Sequence, residues 1–174
     1  VTMTCGTTHD TKRSEDVRNQ IGVLSQFGAE WRELVTELHP LMDGVEGHTE
    51  NLMWQILAGT WTDDGPIEVD RLTAYALKAS REQKLWTSWT NQDADGEQHL
   101  VDTLTNLCSD PVVLDRFSAW HTLTADAVRT SVLSRKTVQL TCLGVADTYQ
   151  GCETLQNYLV DPDNRARADF AALG

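Results

Sequence analysis

The sequence predicts a mostly α-helical domain with one strand at its front and another near its end. Three observations predict it. Apolar residues recur at helical spacing through most of the stretch from Val17 to Leu140. Caps, glycines and prolines cut that pattern into helix-sized pieces. Only Val1 to Cys5, β-branched and alternating, and Leu143 to Ala146 read as extended. The chain has 174 residues, enough for one real core.

In order, Ser14 caps a first helix whose opening turn carries Glu15 and Asp16, the charge sign a helix start prefers. Val17, Ile21 and Leu24 mark its inner face, and Gly28 is expected to end it. Ala29 to Leu38 predicts a second helix with Trp31, Leu34, Val35 and Leu38 on one face, broken at His39-Pro40. Thr49 is expected to cap a third, with Leu52, Met53, Ile56 and Leu57 inward. Asp63-Asp64-Gly65-Pro66 is a turn. Ile67 to about Leu85 predicts a long helix striped with Leu72, Tyr75, Ala76 and Ala79. Leu100, Val101, Leu104 and Leu107 mark the next. Asp110-Pro111 is a cap followed by Pro at the first helical position, opening a helix with Val113, Leu114, Phe117 and Trp120 inward. Asp126 is expected to cap a separate helix carrying Val132, Leu133, Val138 and Leu140. Cys152 to Tyr158 reads as a helical turn or two, Asp161 to Asn164 as a loop, and Ala168 to Leu173 as a helix start.

Composition narrows the partners. The formal net charge is -12, which argues against nucleic acid or an anionic membrane and fits a neutral substrate such as sugar. No apolar run approaches the ~20 residues of a membrane span. Cys5, Cys108, Cys142 and Cys152 form no CxxC pair, and with five scattered histidines they give no zinc spacing, so neither metal nor cofactor is expected. No leader is visible, which favours free thiols in a reducing cytoplasm over two disulfides. The chain lacks an initiator Met and starts inside a predicted strand, so it reads as a piece of a longer protein.

Chemistry concentrates where the first strand gives way to the first helix. His9, Asp10, Lys12 and Arg13 fall within five positions there. In β/α folds that end of a strand gathers catalytic and binding groups. Asp10 either tightens the turn or supplies fixed negative charge to a developing cation. Lys12 and Arg13 either bind hydroxyls or carboxylates, or pair with Glu15 and Asp16. After the second strand, Tyr149 can stack on a sugar ring while Gln150 and Glu153 read its hydroxyls; packing and a helix-start charge are the alternatives. Six tryptophans invite a carbohydrate platform, yet most sit on helical stripes and read as core; Trp86 and Trp89 are the exceptions.

Three stretches carry a family resemblance. His9-Asp10-Thr11-Lys12-Arg13-Ser14-Glu15-Asp16-Val17-Arg18 resembles the segment around the third catalytic carboxylate of the maltooligosyltrehalose synthase family, α-amylase-like enzymes of glycoside hydrolase family 13. Ala79 to Asn91 resembles part of that family's helical insertion. Gly144 to Glu153, followed by Leu159-Val160-Asp161-Pro162-Asp163-Asn164-Arg165, resembles the segment around its last barrel strand. The resemblance implies that residues 1–28 are a barrel strand, loop and helix, 29–139 the helical insertion, and 140–174 the last barrel strand and following loop. The two strands would then be the last two of a (β/α)8 barrel, present as a fragment, with the remainder of the barrel supplied by the parent chain; a whole barrel needs about 250 residues.

By resemblance, Asp10 assists at the transition state and His9 contacts the sugar beside the broken bond. Lys12, Arg13, Tyr149, Gln150, Glu153, Asp161, Asn164 and Arg165 would bind a maltooligosaccharide. The activity implied is an intramolecular transglucosylation in the cytoplasm, turning the reducing-end α-1,4 link into the α,α-1,1 link of trehalose. No stretch resembles the family's nucleophile or acid motifs, so the piece is expected to be inactive alone. Leu143 and Ala146 stand where the family pattern has Pro, Thr148 where it has Ile, and Ala166 and Ala168 where it has Arg and Pro. These departures are expected to loosen two loops. A plain α-amylase-like hydrolase and a non-catalytic helical interaction module are the competing readings.

Overall fold

The computed structural model describes residues 5–168, 170 and 171, and among these six α-helices carry the fold. α1 spans Glu15–Val23, α2 Gly28–Leu38, α3 Gly47–Thr60, α4 Val69–Gln83, α5 Ala94–Leu107 and α6 Pro111–Thr141. Short 3-10 turns follow α1 and α2, and a third covers Asp163–Arg165.

α3 is the axis of the core. Met53, Trp54, Ile56, Leu57 and Ala58 are buried along it. α1 lies against it so closely that a Cβ on Gly59 would sit 2.8 Å from Ile21 Cγ1 and 3.1 Å from Val17 Cγ1. Only a residue without a side chain allows that approach. Phe117 of α6 is sandwiched between Trp54 and Trp61, with ring centroids at 6.0 and 5.1 Å. Trp120, one turn on, meets Trp31 at 5.2 Å and Phe27 at 6.2 Å. Trp54 cannot be buried without a partner for its indole N–H. Glu50 provides it at 3.0 Å and also meets His39 Nδ1 at 2.8 Å. α4 and α5 pack beside this centre through Leu72, Tyr75 and Ala76 on one and Leu100, Leu104 and Leu107 on the other. The stripes expected from spacing are therefore the buried faces.

Several boundaries differ from expectation. Gly28 opens α2 rather than closing α1, which ends at Val23 and tightens into a 3-10 turn. Glu46, not Thr49, caps α3 through its carboxylate and His48 N–H. Thr49 is buried and instead accepts the Trp86 indole N–H at 2.9 Å. Asp126 starts no new helix: α6 is continuous for 31 residues, about 46 Å. No Gly or Pro interrupts it after Pro111, and a cap residue alone does not break a helix that tertiary contacts anchor at both ends. Cys152 to Tyr158 forms turns and extended backbone, not helix.

The predicted strands fare differently. Val1 to Thr4 lie outside the described residues, and Cys5 is irregular. Leu143 to Ala146 forms no strand; Leu143 and Val145 are fully exposed. A strand exists by pairing, and among the described residues none lies alongside to accept its N–H groups. Of the helix expected from Ala168 to Leu173, Ala168 is irregular and most of the rest lies outside the described residues.

Candidate functional site

Two loops far apart in the chain meet beside α1 and α4. One is the turn of residues 7–13; the other is the segment 156–165. Their junction is built on a buried Asn164, whose side-chain amide donates to the carbonyls of Thr8 at 3.0 Å, His9 at 3.1 Å and Thr11 at 3.4 Å. Those three carbonyls fix which end of the amide is nitrogen. The amide oxygen is buried and finds no donor among the described residues. The turn is also tied within itself. Thr11 Oγ1 donates to Thr8 O at 2.8 Å, and Asp10 N donates to Thr8 Oγ1 at 3.2 Å.

This scaffolding lifts His9 and Asp10 into solvent. The His9 Nε2 to Asp10 Oδ2 distance is 3.3 Å, and the Asp10 side chain is 85% exposed. On the facing loop, Arg165 Nε pairs with Asp161 Oδ1. That hydrogen bond holds the Asp161 carboxyl below its ordinary value, and the same bond raises the Arg165 guanidinium. Tyr149 joins them by donating its hydroxyl to Asn164 O at 3.2 Å. So His9, Asp10, Tyr149, Asp161, Asn164 and Arg165 come together, two carboxylates and a guanidinium beside an imidazole and a phenol. Such a face can donate to and accept from sugar hydroxyls and can stabilise positive charge.

The other expected residues go elsewhere. Lys12 Nζ pairs with Glu82 Oε2 of α4 at 2.5 Å, and Arg13 Nε donates to the Tyr75 hydroxyl at 3.3 Å. Neither pairs with Glu15 or Asp16. Gln150 is exposed. Glu153 lines a separate 470 Å³ groove with Leu133, Lys136, Leu140 and Cys152 at the end of α6. The middle resembling stretch is largely structural. Arg81 forks onto Glu97 at 2.9 and 2.5 Å, and Thr87 donates to the same carboxylate at 2.5 Å. Trp86 is held through Thr49, while Trp89 is 53% exposed with the Arg81 guanidinium 5.0 Å from its ring centroid.

Sequence reading missed what ties the two loops to the helices. Glu15, 2% exposed, takes Lys136 Nζ at 2.6 Å, Arg135 Nη1 at 2.9 Å and the Thr7 N–H at 3.2 Å. Burial works to raise its carboxyl, but the two cations outweigh it and the value falls below 4.5. Gly6 passes so near that a Cβ there would meet Glu15 Oε2 at 2.4 Å. Next to it, Asp16 accepts the Gln156 N–H at 2.9 Å; burial raises this carboxyl above 3.8 despite that bond. Ser14 donates to Gln156 O and its N–H to Tyr158 O at 2.8 Å, so one cap residue both starts α1 and holds the far loop. Arg71 grips Asp163 with two bonds, at 2.6 and 3.0 Å. The signal available for the last was a polar row at helical spacing in α4.

No family model matches the chain. Individual proteins do. A "Putative maltooligosyl trehalose synthase" of Mycobacterium tuberculosis (strain ATCC 25618 / H37Rv) is 36% identical over 171 residues, covering 97% of this chain and 22% of that protein. The solved maltooligosyltrehalose synthase from Arthrobacter ramosus superposes with a TM-score of 0.90 at 40% identity, covering 98% of this chain and 22% of that one. A hypothetical maltooligosyl trehalose synthase from Sulfolobus tokodaii gives a TM-score of 0.87 at 31% identity, over 93% of this chain and 23% of that one. In sequence and in fold, the chain matches over nearly its whole length a segment of maltooligosyl trehalose synthases, and it spans about a fifth, 22%, of the length of such a protein.

Proposed function

We propose that this chain works as one part of a longer maltooligosyltrehalose synthase, and that its two facing loops supply the charge-stabilising side of the active site. The reaction is an intramolecular transglucosylation, an isomerisation in which the reducing-end α-1,4 link of a maltooligosaccharide becomes the α,α-1,1 link of trehalose. Breaking that link builds an oxocarbenium-like state. Asp10 stabilises it, His9 binds the sugar beside the broken bond, and Tyr149, Asp161 and Arg165 hold neighbouring hydroxyls. The nucleophile and the acid come from chain outside this one. The single observation that carries the reading is Asn164. Through it, the two stretches that resemble the family's site meet in space although 156 positions separate the bonded residues.

The surface supports the need for more chain. Leu133, Leu140, Leu143, Val145 and Leu155 are exposed around the end of α6. Apolar exposure on that scale marks a face that another surface covers. We place the enzyme in trehalose biosynthesis in the cytoplasm, where free thiols such as Cys5, Cys108, Cys142 and Cys152 stay reduced.

Product analysis with maltopentaose tests the reading. The full-length protein should yield trehalose-terminated product and the 174-residue chain none. Asp10→Asn in the full-length protein should lower kcat by roughly 10²–10³ or more, as loss of a preorganised charge does elsewhere. Glucose or maltose without trehalose linkage would instead mark a hydrolase. Unchanged turnover in Asp10→Asn would assign the turn a purely structural part.

A further inference from the structure

α4 presents two rows of side chains. Leu72, Ala76 and Ala79 form the row toward the core. The other row is Arg71, Tyr75, Lys78 and Glu82, spaced four, three and four residues apart, which stacks them along one side of the helix; Tyr75 belongs to the core as well, buried with only its hydroxyl turned to a loop. Each member touches one of the two site loops. Arg71 forks onto Asp163 and also donates to Asn157 O at 2.9 Å. Lys78 Nζ donates to Asp161 O at 2.7 Å. Tyr75 accepts from Arg13, and Glu82 takes Lys12. The row thus binds both loops at once, with two of its residues on each.

From this geometry we infer that the polar row of α4, and Arg71 above all, consists of positioning residues: it fixes the two loops relative to each other and thereby the place of Asp10. The inference rests on the transglucosylase reading above. The second loop is anchored by Leu159 and Val160, both buried, but from Asp161 onward its side chains are polar or exposed. Hydrocarbon therefore does not hold the part of the loop that reaches Asn164. Arg71 does, and with a planar fork that fixes angle as well as distance. Asp163 completes the clamp by accepting the Leu159 N–H at 2.7 Å on the oxygen that Arg71 Nη2 also meets, so the loop is cross-braced to itself and to the helix. Asn164 follows Asp163 directly and carries the constraint to the carbonyls of Thr8, His9 and Thr11. A displacement of about 1 Å at a reacting centre can cost roughly 10²-fold in rate, so a clamp two residues removed from the chemistry is expected to act on turnover.

The test uses the full-length protein and steady-state formation of trehalose-terminated product from maltopentaose, at a temperature where circular dichroism shows each variant folded. Arg71→Met should lower kcat roughly 10- to 100-fold, because Asp10 acts in the transition state, and should raise KM as well, because Asp161 and Arg165 on the released loop hold bound substrate. Arg71→Lys keeps the charge without the fork and should recover part of the loss. Tyr75→Phe and Lys78→Met each remove one loop contact, leave the inner row of α4 intact, and should give smaller losses of the same kind. They keep the inference open to refutation should Arg71→Met not fold. Amide exchange in residues 157–165 should quicken in step with the fall in kcat. A wild-type protein that makes no trehalose product would sink the transglucosylase reading itself. If the wild type turns over and the folded variants match its kcat, or lose only in KM, the positioning role is refuted alone.

Discussion

Around Phe117 the chain excludes water with hydrocarbon; around Asn164 it joins its parts with hydrogen bonds. The first region is the helical body, where Trp54, Trp61 and Phe117 fill the space between α3 and α6 and Trp120 packs on Trp31 of α2. Apolar burial there is tolerant of direction and stabilises in proportion to area. The second region is the loop pair, where Glu15, Asp16, Arg71, Asp163 and Asn164 bind residues up to 156 positions apart. Such bonds contribute modestly to net stability but fix geometry closely. The difference teaches what each region is for. The body supplies the free energy of folding, and the loops use a fixed frame to hold a small set of charged groups in the open.

The largest expected effect breaks the body. Phe117→Ala removes a fully buried ring sandwiched between two indoles and should cost about 3–5 kcal/mol, read as a fall in the urea midpoint. The loops should unfold with the body, because their anchors sit on α1, α4 and α6. A smaller loss, with loop amides exchanging ahead of helix amides, would mean that the loops unfold on their own.

Glu15→Gln tests the other region and should cost less. It leaves Arg135 and Lys136 without their charge partner but keeps an acceptor for Thr7 N–H. Losing one member of a fully buried pair costs about 3–5 kcal/mol. Here the cations are partly exposed, at 31% and 25%, so about 2 kcal/mol is expected. The sign with pH follows from the depressed carboxyl. A group lowered on folding contributes its stability above its unfolded value and loses it as pH falls through the folded one. The gap between wild type and Glu15→Gln should therefore be full at pH 7 and close below 4.5. A gap that persists in acid would mean that shape, not charge, makes this junction.

Much of the body was legible in the sequence because helical burial leaves a period. Leu72, Ala76, Leu100, Leu104, Val113 and Phe117 fall on the stripes that spacing marks as inward, and are buried. The site was legible only in part. Ser14 as a cap, and His9 with Asp10 in a turn, follow from local chemistry. That Asn164 lies under that turn does not, since nothing within a few positions of Asn164 refers to Thr8. The resemblance puts Glu153 in the same site, yet it lines a groove at α6, because Tyr149 lies in irregular backbone and Glu153 on a turn rather than both on a helix that would keep i and i+4 on one face. The extended reading of Leu143 to Ala146 failed for a related reason. Strand formation needs a partner, and a partner is not a local property.

The smallest expected effect separates two neighbours inside the polar region. Asp16 follows Glu15 in the first turn of α1, where a helix start favours negative charge. Yet burial raises its carboxyl above 3.8, the charge of Glu15 adds to the rise, and the Gln156 N–H only partly offsets it. An acid raised on folding contributes stability below its unfolded value and loses it as pH climbs through the folded one. At neutral pH the ionised Asp16 is thus a burden where ionised Glu15 is a support. Asp16→Asn keeps an oxygen for the Gln156 N–H at the same place. Its urea midpoint should equal or exceed that of wild type at pH 7, and the difference should fade as the pH is lowered past 3.8. If Asp16→Asn instead loses as much as Glu15→Gln, both carboxylates are structural charges of one kind. The junction would then owe its strength to the helix start rather than to Arg135 and Lys136.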